Sequence, residues 1–142
     1  MTRAVAVLAA ALLAAPALAT DPGAEAAKAY TLDTSGSTSS LQAGGQGKLS
    51  VTIKPTAPGW HVHPQAPLKV RFEAPAALKL ARAELGRKDL ADPKAEQPRF
   101  ETSFVASAAG AQEAKATVDF FVCSDAACVK QVRSVAIPVT VR

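Results

Sequence analysis

Two thiols, Cys123 and Cys128, close the stretch Phe120-Phe121-Val122-Cys123-Ser124-Asp125-Ala126-Ala127-Cys128, and they are the only cysteines in the chain. Three chemistries fit a C-x4-C pair. As a staple it is weak, because closing a loop of about six residues contributes roughly 2 kcal/mol in the chain-entropy model, against about 4.7 kcal/mol for a loop of 100. As a redox pair it meets the proximity condition of thiol exchange, which needs one thiolate to reach a partner disulfide and a second thiol to resolve the mixed disulfide. Asp125 opposes thiolate formation and Lys130 favours it, so the expected nucleophile is modest. As a metal clip it needs two further ligands. His61-x-His63 offers imidazoles at alternate positions, which project to one side of an extended chain, although C-x4-C departs from the usual C-x2-C knuckle. The single methionine is the initiator, which excludes a methionine-rich copper(I) site. No G-x-S-x-G is present to suggest a hydrolase nucleophile.

The elements that must position these groups read as strands. Ala114, Ala116, Val118, Phe120 and Val122 alternate with Lys115, Thr117 and Asp119, a period of two that marks a half-buried strand. By parity Phe121 and Cys123 fall on the face opposite the core, so an aromatic ring stands beside the first sulfur. The same alternation runs through Leu49, Val51 and Ile53; Leu68, Val70 and Phe72; Leu78 and Leu80; Phe100, Thr102, Phe104 and Ala106; and Val135, Ile137, Val139 and Val141. Tyr30 and Leu32 make a weaker strand, and Trp60 to His63 a short one with both histidines on one face and Trp60 read as core. Pro138 predicts an edge or a bulge in the last strand. Gly86 to Pro98 is charged and proline-broken, a long irregular excursion of a length uncommon unless functional or disordered. Several short strands with proline- and glycine-marked turns predict an all-β fold, an immunoglobulin-like antiparallel β-sandwich, with a small barrel as the alternative.

Composition bounds the remaining possibilities. Of the 142 residues, 49% are apolar and 20% charged, ordinary for a globular domain. The formal net charge of +4 is small and scattered, which argues against nucleic acid, and aromatics at 5% are too few for a base-stacking platform. Arg3, the apolar run from Ala4 to Ala15 and Ala17-Leu18-Ala19 together read as a secretory signal peptide over residues 1–19. The apolar run is shorter than the roughly 20 residues a membrane span needs, and no cysteine follows the cleavage site to carry a lipid. Residues 20–47 read as a flexible leader with a possible first strand, and 48–142 as the folded domain. Export places the thiols where a disulfide persists.

With these residues in view, the chain resembles the N-terminal periplasmic domain of the thiol:disulfide interchange protein DsbD family, in a stand-alone form. The carriers are Pro58-Gly59-Trp60-His61 with Pro64 after it, and the aromatic-x-x-Cys-x-Asp-x-x-Cys pattern at 120–128. The resemblance implies an immunoglobulin-like periplasmic module and protein-disulfide reductase or electron-transfer activity. In that reading Cys123 and Cys128 pass electrons from a membrane-embedded thiol reductase, a separate polypeptide, to periplasmic thioredoxin-like or disulfide proteins. It gives Phe120, Phe121 and Asp125 supporting roles, and makes Leu90 the one sizeable apolar side chain of a cap over residues 86–98. No cofactor, nucleic acid or stable membrane insertion is implied. Two other readings stay open: a non-enzymatic exported binding domain whose disulfide is structural, and a metal carrier using His61, His63 and the thiols. The mature protein is expected to begin at Thr20, which N-terminal sequencing of exported material checks.

Overall fold

The structure, a computed structural model, describes residues 21–142; the signal peptide expected over 1–19 lies outside them. In chain order the elements are helix α1 (Pro22–Lys28) and strands β1 (Tyr30–Asp33), β2 (Ser40–Leu41), β3 (Gln46–Pro55), β4 (His61–Val62), β5 (Lys69–Glu73), β6 (Leu78–Leu80), β7 (Glu84–Gly86), β8 (Arg99–Ala106), β9 (Gly110–Cys123) and β10 (Cys128–Val141), with a 3-10 turn at Arg87–Asp89. One sheet runs β1-β3-β8-β6. The other runs β2-β10-β9-β5-β7, with β4 also paired to β9. All pairings are antiparallel except β2 on β10. This is the expected immunoglobulin-like β-sandwich.

The core follows from the alternation. Leu49, Val51 and Ile53 of β3 and Phe100, Phe104 and Ala106 of β8 are buried from one sheet; Val70 and Phe72 of β5, Ala114 to Val122 at alternate positions of β9, and Ile137, Val139 and Val141 of β10 are buried from the other. Small residues sit beside large ones: Phe72 lies across from Ala116 and Phe104 across from Gly47. Four phenylalanines are fully buried, which leaves Phe121 as the one outside the core. The Thr140 N–H donates to the Ser39 carbonyl, away from β9, so by alternation the Pro138 nitrogen also faces away from β9, at a point β2 does not reach; the missing N–H breaks no ladder.

Residues 21–47, read from the sequence as a leader, carry α1, β1 and β2. Asp21 Oδ1 accepts from the Gly23 N–H at 3.0 Å, and Pro22, which has no N–H to satisfy, occupies the first turn. Ala26 and Ala29 are buried, so α1 is held by packing of small side chains. Tyr30 then anchors the segment across both sheets. Its ring meets Phe120 edge-on at 4.8 Å between centroids, and its hydroxyl donates to Gln131 Oε1 at 3.0 Å. Burial pushes the Tyr30 hydroxyl above its usual pKa, with the nearby Arg133 guanidinium pulling the other way. Strand β7, which the charged run around it concealed, pairs with β5 and buries Leu85. Among the described residues no helix is long and apolar enough to cross a membrane.

The closest approach in the core sits at Gly47, where an added Cβ would lie 2.5 Å from Phe104 Cζ and 3.1 Å from Thr38 Cβ. Phe104 is buried and has no room to swing away. Gly47→Ala is expected to destabilise the fold by about 1–3 kcal/mol, read as a lower urea midpoint at unchanged slope.

Candidate functional site

Cys123 ends β9 and Cys128 begins β10, and the ladder sets them directly opposite each other. Their sulfurs are bonded, with the Cα atoms 4.1 Å apart. The disulfide therefore bridges adjacent strands at the tip of one hairpin. The turn between them is closed by the Ser124 N–H donating to the Ala127 carbonyl at 2.8 Å and by the Ala126 N–H donating to Ser124 Oγ at 3.2 Å. No residue of this turn has positive φ, and Ser-Asp-Ala-Ala lacks the Asn-Gly or Asp-Gly pair of turns whose twist matches the strands. Local turn chemistry is thus weak here, and the covalent bond holds the strand ends together. Asp125 stands exposed at the tip.

The two sulfurs differ in access. Cys128 is exposed, whereas Cys123, on the face opposite the core, is nonetheless only 2% exposed. Parity sets its face, and β9 is flanked at this end by strands on both edges: His61 of β4 pairs across from Cys123 on one side and Cys128 of β10 on the other, while Val62 pairs with Val122. Phe121 is half-buried on the same face, opposite Lys130, whose Nζ lies 3.5 Å from Asp119 Oδ2. Phe120 points the other way and is wholly core.

On the outer side of β4 lies an open groove of about 910 Å³ whose lining includes Trp60, His61, His63, Arg87, Leu90 and Lys94. Neither cysteine lines it. Leu90, expected to cap the disulfide, is buried at this groove instead. Trp60, read from the sequence as core, is half-buried: it packs on the core and lines the groove. Arg87 had no sequence signal beyond its charged neighbourhood, yet its guanidinium stitches the groove wall. Nε and Nη2 donate to the Ala66 carbonyl at 3.1 and 2.6 Å, and Nη2 to the His63 carbonyl at 3.0 Å.

The segment expected as an irregular excursion is tied at both ends. Arg82 donates to both Asp89 carboxylate oxygens at 2.8 and 3.3 Å, and the Gly86 N–H donates to Asp89 Oδ2 at 2.9 Å. At the far end the Ala91 N–H donates to the Arg99 carbonyl and the Ile53 N–H to that of Pro98. The hydrogen bond from Arg82, then that from Gly86, holds the Asp89 carboxyl below the usual carboxylate range.

The metal alternative is not assembled. The two sulfurs are bonded to each other, and His63 Nδ1 accepts from the Gln65 and Ala66 N–H groups at 3.1 and 2.8 Å. Among the described residues no three His, Cys, Asp or Glu side chains gather as a ligand set.

No family model matches the chain, and no curated protein matches it. Among solved structures it is similar to a conjugative transposon lipoprotein from Bacteroides eggerthii, at 10% identity and a TM-score of 0.42 over 78% of this chain and 96% of that one. It is also similar to a lipoprotein from Bacteroides thetaiotaomicron, at 15% identity and 0.39 over 89% and 85%. A third is AggA, the major subunit of aggregative adherence fimbriae type I from Escherichia coli, at 10% identity and 0.34 over 80% and 94%. Likenesses this distant carry neither activity nor partners to this chain. The resemblance to the DsbD family is corrected by the family comparison: no family model matches the chain, the Pro58–His61 and 120–128 segments included. The physical reason lies in the motif itself. An aromatic facing the core, a short polar turn and two cysteines in register also describe a hairpin whose disulfide is purely structural, so the pattern does not single out that family.

Asp89 supplies a pH test of the groove wall. Its folded pKa is lowered, so its anchoring is fully present above the unfolded value of about 4 and is lost as pH falls through the lower folded value. The protection of the Gly86 amide, relative to its intrinsic exchange rate at each pH, is expected to hold from pH 7 down to about 5 and to fall in stronger acid, and Asp89→Asn to show that lowered protection already at neutral pH.

Proposed function

We propose that this protein is an exported, non-enzymatic β-sandwich binding domain of the periplasm in which the Cys123–Cys128 disulfide is a structural clamp on the β9–β10 tip. The observation that carries this reading is the cross-strand placement of the pair, directly in register, with Cys123 buried between β4 and β10. That is where a covalent bond compensates for a turn with weak intrinsic preference. The adjoining groove, with an aromatic floor and a fixed cation, supplies a surface for binding.

A second reading, thiol–disulfide exchange, draws on the exposure of Cys128. There a partner thiolate attacks Cys128 Sγ, the S–S bond breaks and Cys123 leaves as a thiolate. A second partner thiol then displaces Cys128, so that the partner is oxidised to a disulfide and the pair reduced by two electrons. The partners of that chemistry are a membrane-embedded thiol reductase and periplasmic thioredoxin-like or disulfide proteins.

Equilibration with dithiol buffers of known potential separates the two. The structural clamp is expected to titrate below about −300 mV, to resist thioredoxin-like proteins while folded, and to cost about 2 kcal/mol when removed by the joint change Cys123→Ala and Cys128→Ala. A potential well above that range, with rapid exchange at Cys128, sinks the clamp and favours electron transfer.

A further inference from the structure

Resting on the binding-domain reading, we propose that the groove beside β4 takes an extended acidic segment of a partner polypeptide, with a carboxylate seated on Arg87 and the peptide backbone paired to Val62. Three observations converge on that occupant.

The first is an uncompensated, fixed cation. Arg87 is half-buried, its Nε and Nη2 are spent on the Ala66 and His63 carbonyls, and its Nη1 has no partner among the described residues. It enters none of the ion pairs formed there. The guanidinium is thereby fixed without an ion-pair partner, and with its Nε and Nη2 donors occupied, the Nη1 end is left to give a charge-assisted hydrogen bond to a carboxylate. Lys94 on the groove rim adds a second cation outside those ion pairs, against the single acid Glu96.

The second is an open strand edge. The His63 N–H donates to the Phe121 carbonyl, which fixes the alternation along β4: His61 and His63 direct their backbone groups at β9, and Val62 directs its N–H and carbonyl away from β9. Val62 lines the groove. An extended segment laid there gains main-chain hydrogen bonds by strand addition, the mode in which backbone pairing supplies affinity and side-chain contacts supply choice.

The third is apolar area beside the charge. Half-buried Trp60 gives an aromatic surface to the groove that Arg87 also lines, and the edge of the mostly buried Leu90 adds a little to it, so a residue flanking the acid on an alternating peptide finds contact. A nucleic acid would need a wider basic field than two cations, and a free metal ion is repelled by both.

Trp60 is the only tryptophan in the chain, so its emission reports on this groove alone. The probes are acetylated, amidated hexapeptides of alternating valine with glutamate and of alternating valine with lysine, titrated into the oxidised, full mature protein at low salt. The expected result is a saturable change in Trp60 emission with the glutamate peptide and none with the lysine peptide. Arg87→Gln is expected to weaken the glutamate peptide at least tenfold. Because Arg87 also stitches the wall, Lys94→Glu is the second variant; its side chain is exposed and it is expected to weaken binding about threefold at an unchanged urea midpoint. The proposal is overturned if the glutamate peptide gives no saturable change, if the lysine peptide binds as well, or if both variants bind like the unaltered protein. The disulfide potential does not enter this titration, so its failure removes the acidic occupant and leaves the clamp to be judged by its own test.

Discussion

The β9–β10 ladder is the constraint on which the rest of the second sheet depends. It pairs Gly110 to Cys123 with Val141 to Cys128 without a break. The other edge of β9 carries β5 over Asp119 to Lys115 and β4 over Cys123 and Val122. A one-residue slip in this ladder would turn Phe120 and Val122 out of the core and unseat both neighbours. Register is held from inside by the buried alternation and at the tip by the disulfide, which fixes Cys123 against Cys128 whatever the turn prefers.

That division of labour explains why a short-range bridge is useful where its loop-closure contribution is small. The turn offers no residue of positive φ, so the strands do not receive their twist from it. The tip is also where β4 docks, through only two ladder pairs. Fixing the strand ends therefore bears on the groove: the inner edge of β4 rests on the clamped end of β9, while its outer edge and the Asp89-anchored segment form the walls. The disulfide and the groove are separate sites linked by one short strand.

Much of the fold was legible because inward positions are large and apolar while outward ones are charged, as in Val70 and Phe72 against Lys69, Arg71 and Glu73. Elements lacking that contrast were not. Strand β7 buries one residue, Leu85, inside a charged run; β2 has two residues; α1 buries only alanines, which carry no amphipathic signature. At the site, parity gave the face of Cys123 and missed its burial, because the strand that flanks it, β4, comes from a part of the chain far away in sequence. The groove was invisible for the same reason, since Trp60, Arg87 and Leu90 converge only through the β4–β9 and β5–β7 pairings. The nine-residue likeness around the cysteines overreached because its pattern fits a disulfide-tipped hairpin whatever the role of the bond.

Amide hydrogen exchange on the oxidised and reduced forms tests most directly whether the disulfide acts as a clamp on the tip. The account predicts that reduction lowers protection at Val122, Ser124 and Val129 and at His61 and His63 of the docked strand, while the interior of β9 and β10 from Ala114 to Val118 keeps its protection. Unchanged exchange at the tip after reduction, or uniform loss along both strands, would contradict it.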